Sequence, residues 1–267
     1  MDNTQLLGIA AVAAFEAGKK IIEVYNTSFN VENKTDNSPL TLADQNAHLK
    51  IVEFLEKTTI PILSEEGKHT DYSTRKEWNR LWIVDPLDGT KEFVKRNGEF
   101  TVNIALIENQ KPVLGVIYAP VLGWLYIASK EEGAYKIENV GVEMGTLPAL
   151  KELLITGMKL PKNSAGNDYV IVASRSHLSP ETSDFIESKK KNHKKVITKS
   201  MGSSLKLCLV AEGEADIYPR FAPTMEWDTA AGQAIVECAG KTVMDYKTKQ
   251  PVLYNRENLL NNWFVVE

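Results

Sequence analysis

The stretch Trp82-Ile-Val-Asp-Pro-Leu-Asp-Gly-Thr90 runs an apolar segment straight into two aspartates, Asp85 and Asp88, separated only by Pro86 and Leu87. Its apolar start predicts a buried strand and its Pro/Gly end a turn. A strand that delivers paired carboxylates into a turn is suited to holding hard cations. Oxygen ligands favour Mg²⁺ over Zn²⁺, and Mg²⁺ takes a few carboxylates while leaving other positions to water and phosphate. Gly89 and Thr90 follow where a helix N-terminus would turn backbone N–H groups toward an anion. An Asp-Pro/Asp-Gly surface turn is the ordinary alternative for the same residues.

Three more segments carry acids into comparable settings. Leu63-Ser-Glu-Glu-Gly67 follows Ile60-Pro-Ile62 and reads as a short strand ending in a pair of acids. Leu40-Thr-Leu-Ala-Asp44 puts Thr41 and Asp44 near the start of a helical pattern carrying Ala47, Leu49, Ile51, Val52, Phe54 and Leu55. Glu226-Trp-Asp-Thr-Ala-Ala-Gly232 puts Asp228 at the head of a small-residue helix, where an acid suits the dipole. Singly, each has a plain explanation: helix N-caps at Asp44 and Asp228, a solvated turn at Glu65 and Glu66.

With 267 residues, 43% hydrophobic and 25% charged, the chain is ordinary globular material, long enough for one large domain or two small ones. A net charge of −4 argues against a nucleic-acid polymer as partner, so any anionic ligand has to be met locally. Cys208 and Cys238 sit in apolar helical patterns and are expected to be buried free thiols, as in a reducing cytoplasm. His48 and His69 have no ligand-like partners in the sequence, and no Cys/His cluster spells zinc.

Leu6 to Phe15 is apolar but about half the length needed to span a bilayer, and Met-Asp-Asn-Thr-Gln lacks the positive charge of a signal peptide. Leu6, Ile9, Ala10, Ala13, Ala17, Ile21 and Val24 keep helical spacing instead, which predicts an amphipathic first helix. The period then changes: 101–107, 112–118, 124–128 and 133–137 read as successive antiparallel strands. Turn-rich residues 139–167 suggest a boundary, with one unit over 1–150 and another over 151–267. The second opens with a strand at 169–173 and continues with a helix at 180–191, a strand near Val196, a helix at 203–212, a strand at 215–218 and a helix from Thr229, an α/β alternation. The basic run Lys189-Lys-Lys-Asn-His-Lys-Lys195 is expected to be a solvated helix end.

In order and spacing, Ser38-Pro-Leu-Thr-Leu-Ala-Asp44, Leu63-Ser-Glu-Glu-Gly67, Trp82 to Thr90 and Glu226 to Gly232 resemble the inositol monophosphatase superfamily of lithium-sensitive, Mg²⁺-dependent phosphatases. The resemblance runs along nearly the whole chain. Lys91-Glu-Phe93, Val172-Ala-Ser-Arg-Ser-His177 and Gly202-Ser-Ser-Leu-Lys206 leading to Ala215-Asp-Ile-Tyr-Pro-Arg220 favour its 3′(2′),5′-bisphosphate nucleotidase branch, which removes the 3′-phosphate of adenosine 3′,5′-bisphosphate.

The resemblance implies a layered α-β-α-β-α sandwich of α+β or α/β class. It implies that Glu65, Asp85, Asp88 and Asp228, with the Leu87 carbonyl, hold two or three Mg²⁺ ions. Thr90, hydrogen-bonded to Asp44, would orient and deprotonate a water for in-line attack on phosphorus, without a phosphoenzyme. Glu65, Leu87, Asp88, Gly89, Thr90 and Asp228 would border the substrate; Ser203, Lys206 and Arg220 would approach the remaining phosphate and sugar, and His177 the base or ribose. The expected partner is a small nucleotide bisphosphate, and the expected protein is cytoplasmic, a monomer or homodimer, with loose association at the inner membrane surface left open. Ser64 stands where many relatives carry Gly, and Lys241 replaces the second Gly of a usual A-G-G. Two alternatives stay open: a phosphatase for inositol or other sugar phosphates, against which Lys206 and Arg220 speak, and a non-catalytic phosphate or metal sensor, which should have lost an acid or the Thr90–Asp44 pair.

Overall fold

Helix α1 (Asn3–Tyr25) starts from a capping box in which the Asp2 carboxylate accepts from Gln5 N–H at 2.7 Å while the Gln5 side chain accepts from Asp2 N–H. Of the stripe predicted from spacing, Leu6, Ala10, Ala13, Ala17, Ile21 and Val24 are buried and Ile9 is half-buried against the same core. It packs along α2 (Pro39–Leu55), and together they cover one face of the main sheet. This computed structural model describes residues 1–27, 39–162, 168–173 and 179–267; His177, expected near the base or ribose, lies outside the described residues.

The main sheet runs in chain order: β1 (Ile62–Ser64), β2 (Arg80–Asp88), β3 (Thr101–Glu108), β4 (Lys111–Ala119), β5 (Trp124–Ser129), β6 (Gly133–Ile137) and β7 (Met158–Lys159). The β1/β2 pair is parallel and the later pairs are antiparallel, as expected for the four strands after residue 100. Both faces are covered, so β3 is buried almost throughout: Val102, Ile104 and Leu106 face α1 and α2, while Ala105 and Ile107 face the opposite layer. Short helices α3 (Tyr72–Arg75), α4 (Thr90–Val94) and α5 (Leu150–Thr156) fill the connections.

Beyond β7 the chain forms the parallel pair β8 (Tyr169–Val172) and β9 (Val196–Lys199), with α6 (Pro180–Lys190) between them in sequence. It then builds α7 (Leu205–Glu212), β10 (Tyr218–Arg220), α8 (Glu226–Cys238), β11 (Val243–Asp245) and β12 (Phe264–Val266). β12 lies between β10 and β11. Helices α7 and α8 sit between the main sheet and the small sheets, and α6 closes the far side, giving α-β-α-β-α layers. The β10 strand falls slightly later than expected, and α8 starts at Glu226 rather than Thr229.

The small residues of α8 explain its depth. A methyl group at Gly115 of β4 would overlap the Ala231 carbonyl oxygen and lie 2.7 Å from Ala234 Cβ, so backbone rides on backbone there. A core shared by Leu81, Ile83, Ile117, Leu207, Ile235 and Phe264 joins the segments before and after residue 150. Gly115→Ala is expected to cost about 1–3 kcal/mol by overpacking, read as a lower urea midpoint with unchanged slope.

Candidate active site

Asp85 and Asp88 are three residues apart, and on a regular strand that odd spacing would send them to opposite faces. The register corrects this: Asp85 pairs with Asn103 and Asp88 with Thr101, so β2 carries one more residue than β3 between those positions. The bulge turns both carboxylates to one side of the sheet. Pro86 sits inside it, where a missing N–H costs no ladder bond. The Asp85 carboxylate accepts from Leu87 N–H at 3.0 Å, and the Leu87 side chain is buried against α1 and α2.

Parallel pairing adds the next acid. Ser64 is opposite Val84, and Glu65 N–H donates to Val84 O at 3.1 Å, which sets Glu65 beside Asp85 at the solvent edge. Asp228 lies in the first turn of α8, its carboxylate accepting from Met225 N–H at 2.9 Å. The neighbouring Glu226 is fully buried and accepts from Asn255 and Arg256 N–H groups, at 2.6 and 3.1 Å, which pins the start of that helix. Asp44 is buried within α2, past its first turn, so an N-cap role is ruled out. One turn on, His48 Nδ1 lies 2.9 Å from Ser64 Oγ, a partner the sequence did not disclose. Thr90 opens α4, which packs against α2. Before it, Gly89 takes φ 96°, ψ 48°, and a β-carbon there would run into Ser203 Oγ.

The acids raise one another's proton affinity. Burial, then Asp88, Glu65, Asp228 and Asp44, push the Asp85 carboxyl well above the usual carboxylate range. Burial and Asp88 likewise push Asp228 up. Burial raises Asp88 too, against the opposing pull of Lys206 and of the N–H of Ser204. Among the described residues, no three His, Cys, Asp or Glu side chains close on a common point. Asp85, Asp88 and Asp228 each keep one oxygen on a backbone N–H, which holds them in place around the cleft rather than in contact. With Asp85 buried and Asp88 and Asp228 half-buried, such a set of mutually repelling anionic oxygens has the chemistry of a hard-cation site.

Cationic groups share this cleft with the acids. Space of about 150 Å³ is lined by Asp88, Gly89, Lys91, Glu92 and Asp228 together with Ser203, Lys206, Tyr218 and Arg220. Lys206 Nζ donates to Ser203 O at 2.7 Å and Met201 O at 3.2 Å. Burial brings its pKa down to about 8, partly offset by Asp88. Arg220 Nη2 donates to Pro223 O at 3.0 Å. Ser203 lines this cleft, its hydroxyl within hydrogen-bonding distance of the carbonyls of Asp88 and Glu99, at 2.9 and 2.7 Å, with one proton shared between them. Ser204, to which sequence reasoning gave no role, donates its N–H to the Asp88 carboxylate at 2.7 Å and its hydroxyl to Asn103 Oδ1 at 2.8 Å, beside Thr101. The clue lay in Thr101 and Asn103, two polar residues in an otherwise apolar strand.

The fold and this site define a metal-dependent phosphatase class, and the chain belongs to the inositol monophosphatase family, which it matches over residues 2–265. Members of that family are generally Mg²⁺-dependent. Among its relatives, the 3′(2′),5′-bisphosphate nucleotidase CysQ of Salmonella typhimurium is 46% identical over 257 residues, covering 95% of this chain and 96% of that protein. The crystal structure of CysQ from Bacteroides thetaiotaomicron superposes with a TM-score of 0.94 at 52% identity, over 99% of this chain and 97% of that one. An inositol monophosphatase from Zymomonas mobilis shares the fold at 21% identity, with a TM-score of 0.73 over 98% of this chain and 92% of that one. Among the described residues no helix is long and apolar enough to cross a membrane.

The sign of the electrostatics can be tested without substrate. A carboxyl whose folded pKa lies above its unfolded value loses stability as pH rises between the two. Asp85→Asn keeps an acceptor for Leu87 N–H and deletes the charge. In EDTA at pH 8 it should melt at a higher temperature than the native chain, and the difference should shrink as pH falls toward the unfolded carboxylate range, about 4.

Proposed function

We propose that this chain is a Mg²⁺-dependent phosphomonoesterase that removes the 3′-phosphate of adenosine 3′,5′-bisphosphate, giving AMP and phosphate, with the sulfated form as a second substrate. The observation that carries the reading is the mixed charge of the cleft: Asp88 and Asp228, beside the buried Asp85, share its lining with Lys206 and Arg220. That pattern suits a substrate with one phosphate to cleave and another to recognise. The resemblance to the CysQ proteins supports the same substrate class.

Glu65, Asp85, Asp88 and Asp228, with the Leu87 carbonyl, are the groups that would hold two or three Mg²⁺ ions. When bound, the ions supply positive charge to the phosphate and lower the pKa of a water. Asp44 and Thr90 are read as the pair that orients this water, the hydroxyl passing its proton toward the carboxylate. The water oxygen attacks phosphorus opposite the ribose, the bond to the 3′-oxygen breaks with its electron pair, and that oxygen leaves as a hydroxyl after gaining a proton from solvent. Gly89 lets the chain turn tightly beneath the phosphate. Lys206 and Arg220 hold the phosphate that is not cleaved, with Ser203 and His177 toward the sugar and base. On this reading the unit over 1–150 carries the metal ligands except Asp228, and 151–267 recognises the nucleotide. The enzyme works in the cytoplasm, as a monomer or homodimer, and loose association with the inner membrane surface is compatible with this reading.

Asp85→Asn or Asp88→Asn should lower phosphate release from adenosine 3′,5′-bisphosphate by roughly three orders of magnitude or more while the fold persists; near-native kcat at saturating Mg²⁺ would defeat the metal assignment. Arg220→Ala should cut the preference in kcat/KM for the bisphosphate over 3′-AMP by about one to two orders of magnitude, the worth of a charge-assisted contact. Equal losses on both substrates would favour a sugar phosphate as substrate.

A further inference from the structure

Asp44 and His48 lie one turn apart on α2, so their side chains leave the same face of the helix. Asp44 is near enough to Asp85 to raise its proton affinity, and His48 Nδ1 is 2.9 Å from Ser64 Oγ. Ser64 is buried, ends β1 opposite Val84, and its carbonyl accepts from Gly67 N–H at 3.0 Å. That bond closes a turn over residues 64–67, and the turn carries Glu65. The His48–Ser64 contact therefore links the helix bearing Asp44 to the turn bearing Glu65.

Electrostatics pull the other way. Asp44, Glu65 and Asp85 repel one another, and the turn, at the solvent edge, is the part with room to swing out. A lysine in the place of His48 could hold it in, but would add a positive charge that competes with any bound cation. A side-chain hydrogen bond from the helix to the base of the turn restrains it without a fixed charge. Partners behind a metal ligand fix its orientation and so raise metal affinity.

We propose that His48 and Ser64 form a positioning pair for Glu65, holding the turn against α2 so that the carboxylate already stands beside Asp85 before a cation arrives. The inference rests on the reading of Glu65 and Asp85 as metal ligands. Neither His48 nor Ser64 touches the reacting atoms; both act through Glu65.

Mg²⁺ titrated calorimetrically into the metal-free chain, without substrate, tests this directly. Ser64→Ala and His48→Ala should each weaken Mg²⁺ binding about three- to tenfold, the worth of one hydrogen bond. At saturating Mg²⁺ both should recover near-native kcat and nucleotide KM. Ser64→Thr, which keeps the hydroxyl, and His48→Asn, whose amide stands where Nδ1 did, should bind nearly as the native chain does. The Ser64→Ala/His48→Ala double variant should bind no more weakly than the weaker single variant. Ser64→Ala removes one oxygen and little volume, so it remains informative if His48→Ala fails to fold. Native affinity in a well-folded Ser64→Ala, losses that multiply in the double variant, or an Asn that rescues nothing at position 48 would overturn the pairing. A native chain that binds no Mg²⁺ would bring down the metal-site reading and this inference with it.

Discussion

Repulsion among Asp85, Asp88, Glu65 and Asp228 is the constraint around which the surrounding structure is organised. Anions this close, with Asp85 buried, Asp88 and Asp228 half-buried and Glu65 at the solvent edge, repel strongly unless they are fixed by other bonds or neutralised by cations. The chain supplies the first remedy from its backbone. Leu87, Ser204 and Met225 N–H groups each hold one oxygen of Asp85, Asp88 and Asp228. What remains is a set of lone pairs at raised proton affinity, which a divalent cation would satisfy better than protons at neutral pH. The bulge in β2 makes the arrangement possible, because without its extra residue Asp88 would point into the layer under α1 and α2.

Lys206 is placed by a different set of restraints. Helix α7 brings Lys206 into the cleft and is held at both ends. Its start is tied to β3 and β2 through Ser204, Asn103 and Asp88. Its last residue, Glu212, is buried on Lys136 at 3.0 Å and the Tyr126 hydroxyl at 2.7 Å, on β6 and β5. Such a buried pair is poor evidence of net stability but strong evidence of position, since either partner left alone would be an uncompensated charge. The distance between the carboxylates and the lysine is thereby set by the sheet rather than by a loop.

Much of this could be read in the sequence for physical reasons. Short apolar, β-branched runs bounded by turns, and a first helix with its stripe from Leu6 to Val24, declare themselves because such patterns report burial. Asp85 and Asp88 stand out as candidates because an apolar run that ends in two carboxylates is costly without a purpose, whereas Glu65 and Asp228 join them only through the family resemblance. Other features were not legible. A bulge is a property of two strands in register, so β2 alone could not announce it. The three-residue β12 is too short to carry a pattern, yet it centres the second sheet. His48 looked ordinary because Ser64 is sixteen residues away in sequence and adjacent only after α2 packs on β1. Ser203 was legible as a candidate, but that Ser204 is the one whose N–H meets the Asp88 carboxylate depends on the left-handed backbone at Ser203, φ 49°.

On this reading the acids gathered by the β2 bulge form one cation site in the cleft that Lys206 and Arg220 also line. Crystals of the chain grown with Mn²⁺ and adenosine 3′,5′-bisphosphate allow the ions to be located by their anomalous scattering. Peaks are expected bounded by Glu65, Asp85, Asp88 and Asp228, with the 3′-phosphate against them and the 5′-phosphate toward Lys206 and Arg220. Peaks confined to other acids, or a nucleotide bound with neither phosphate in that cleft, would contradict the reading.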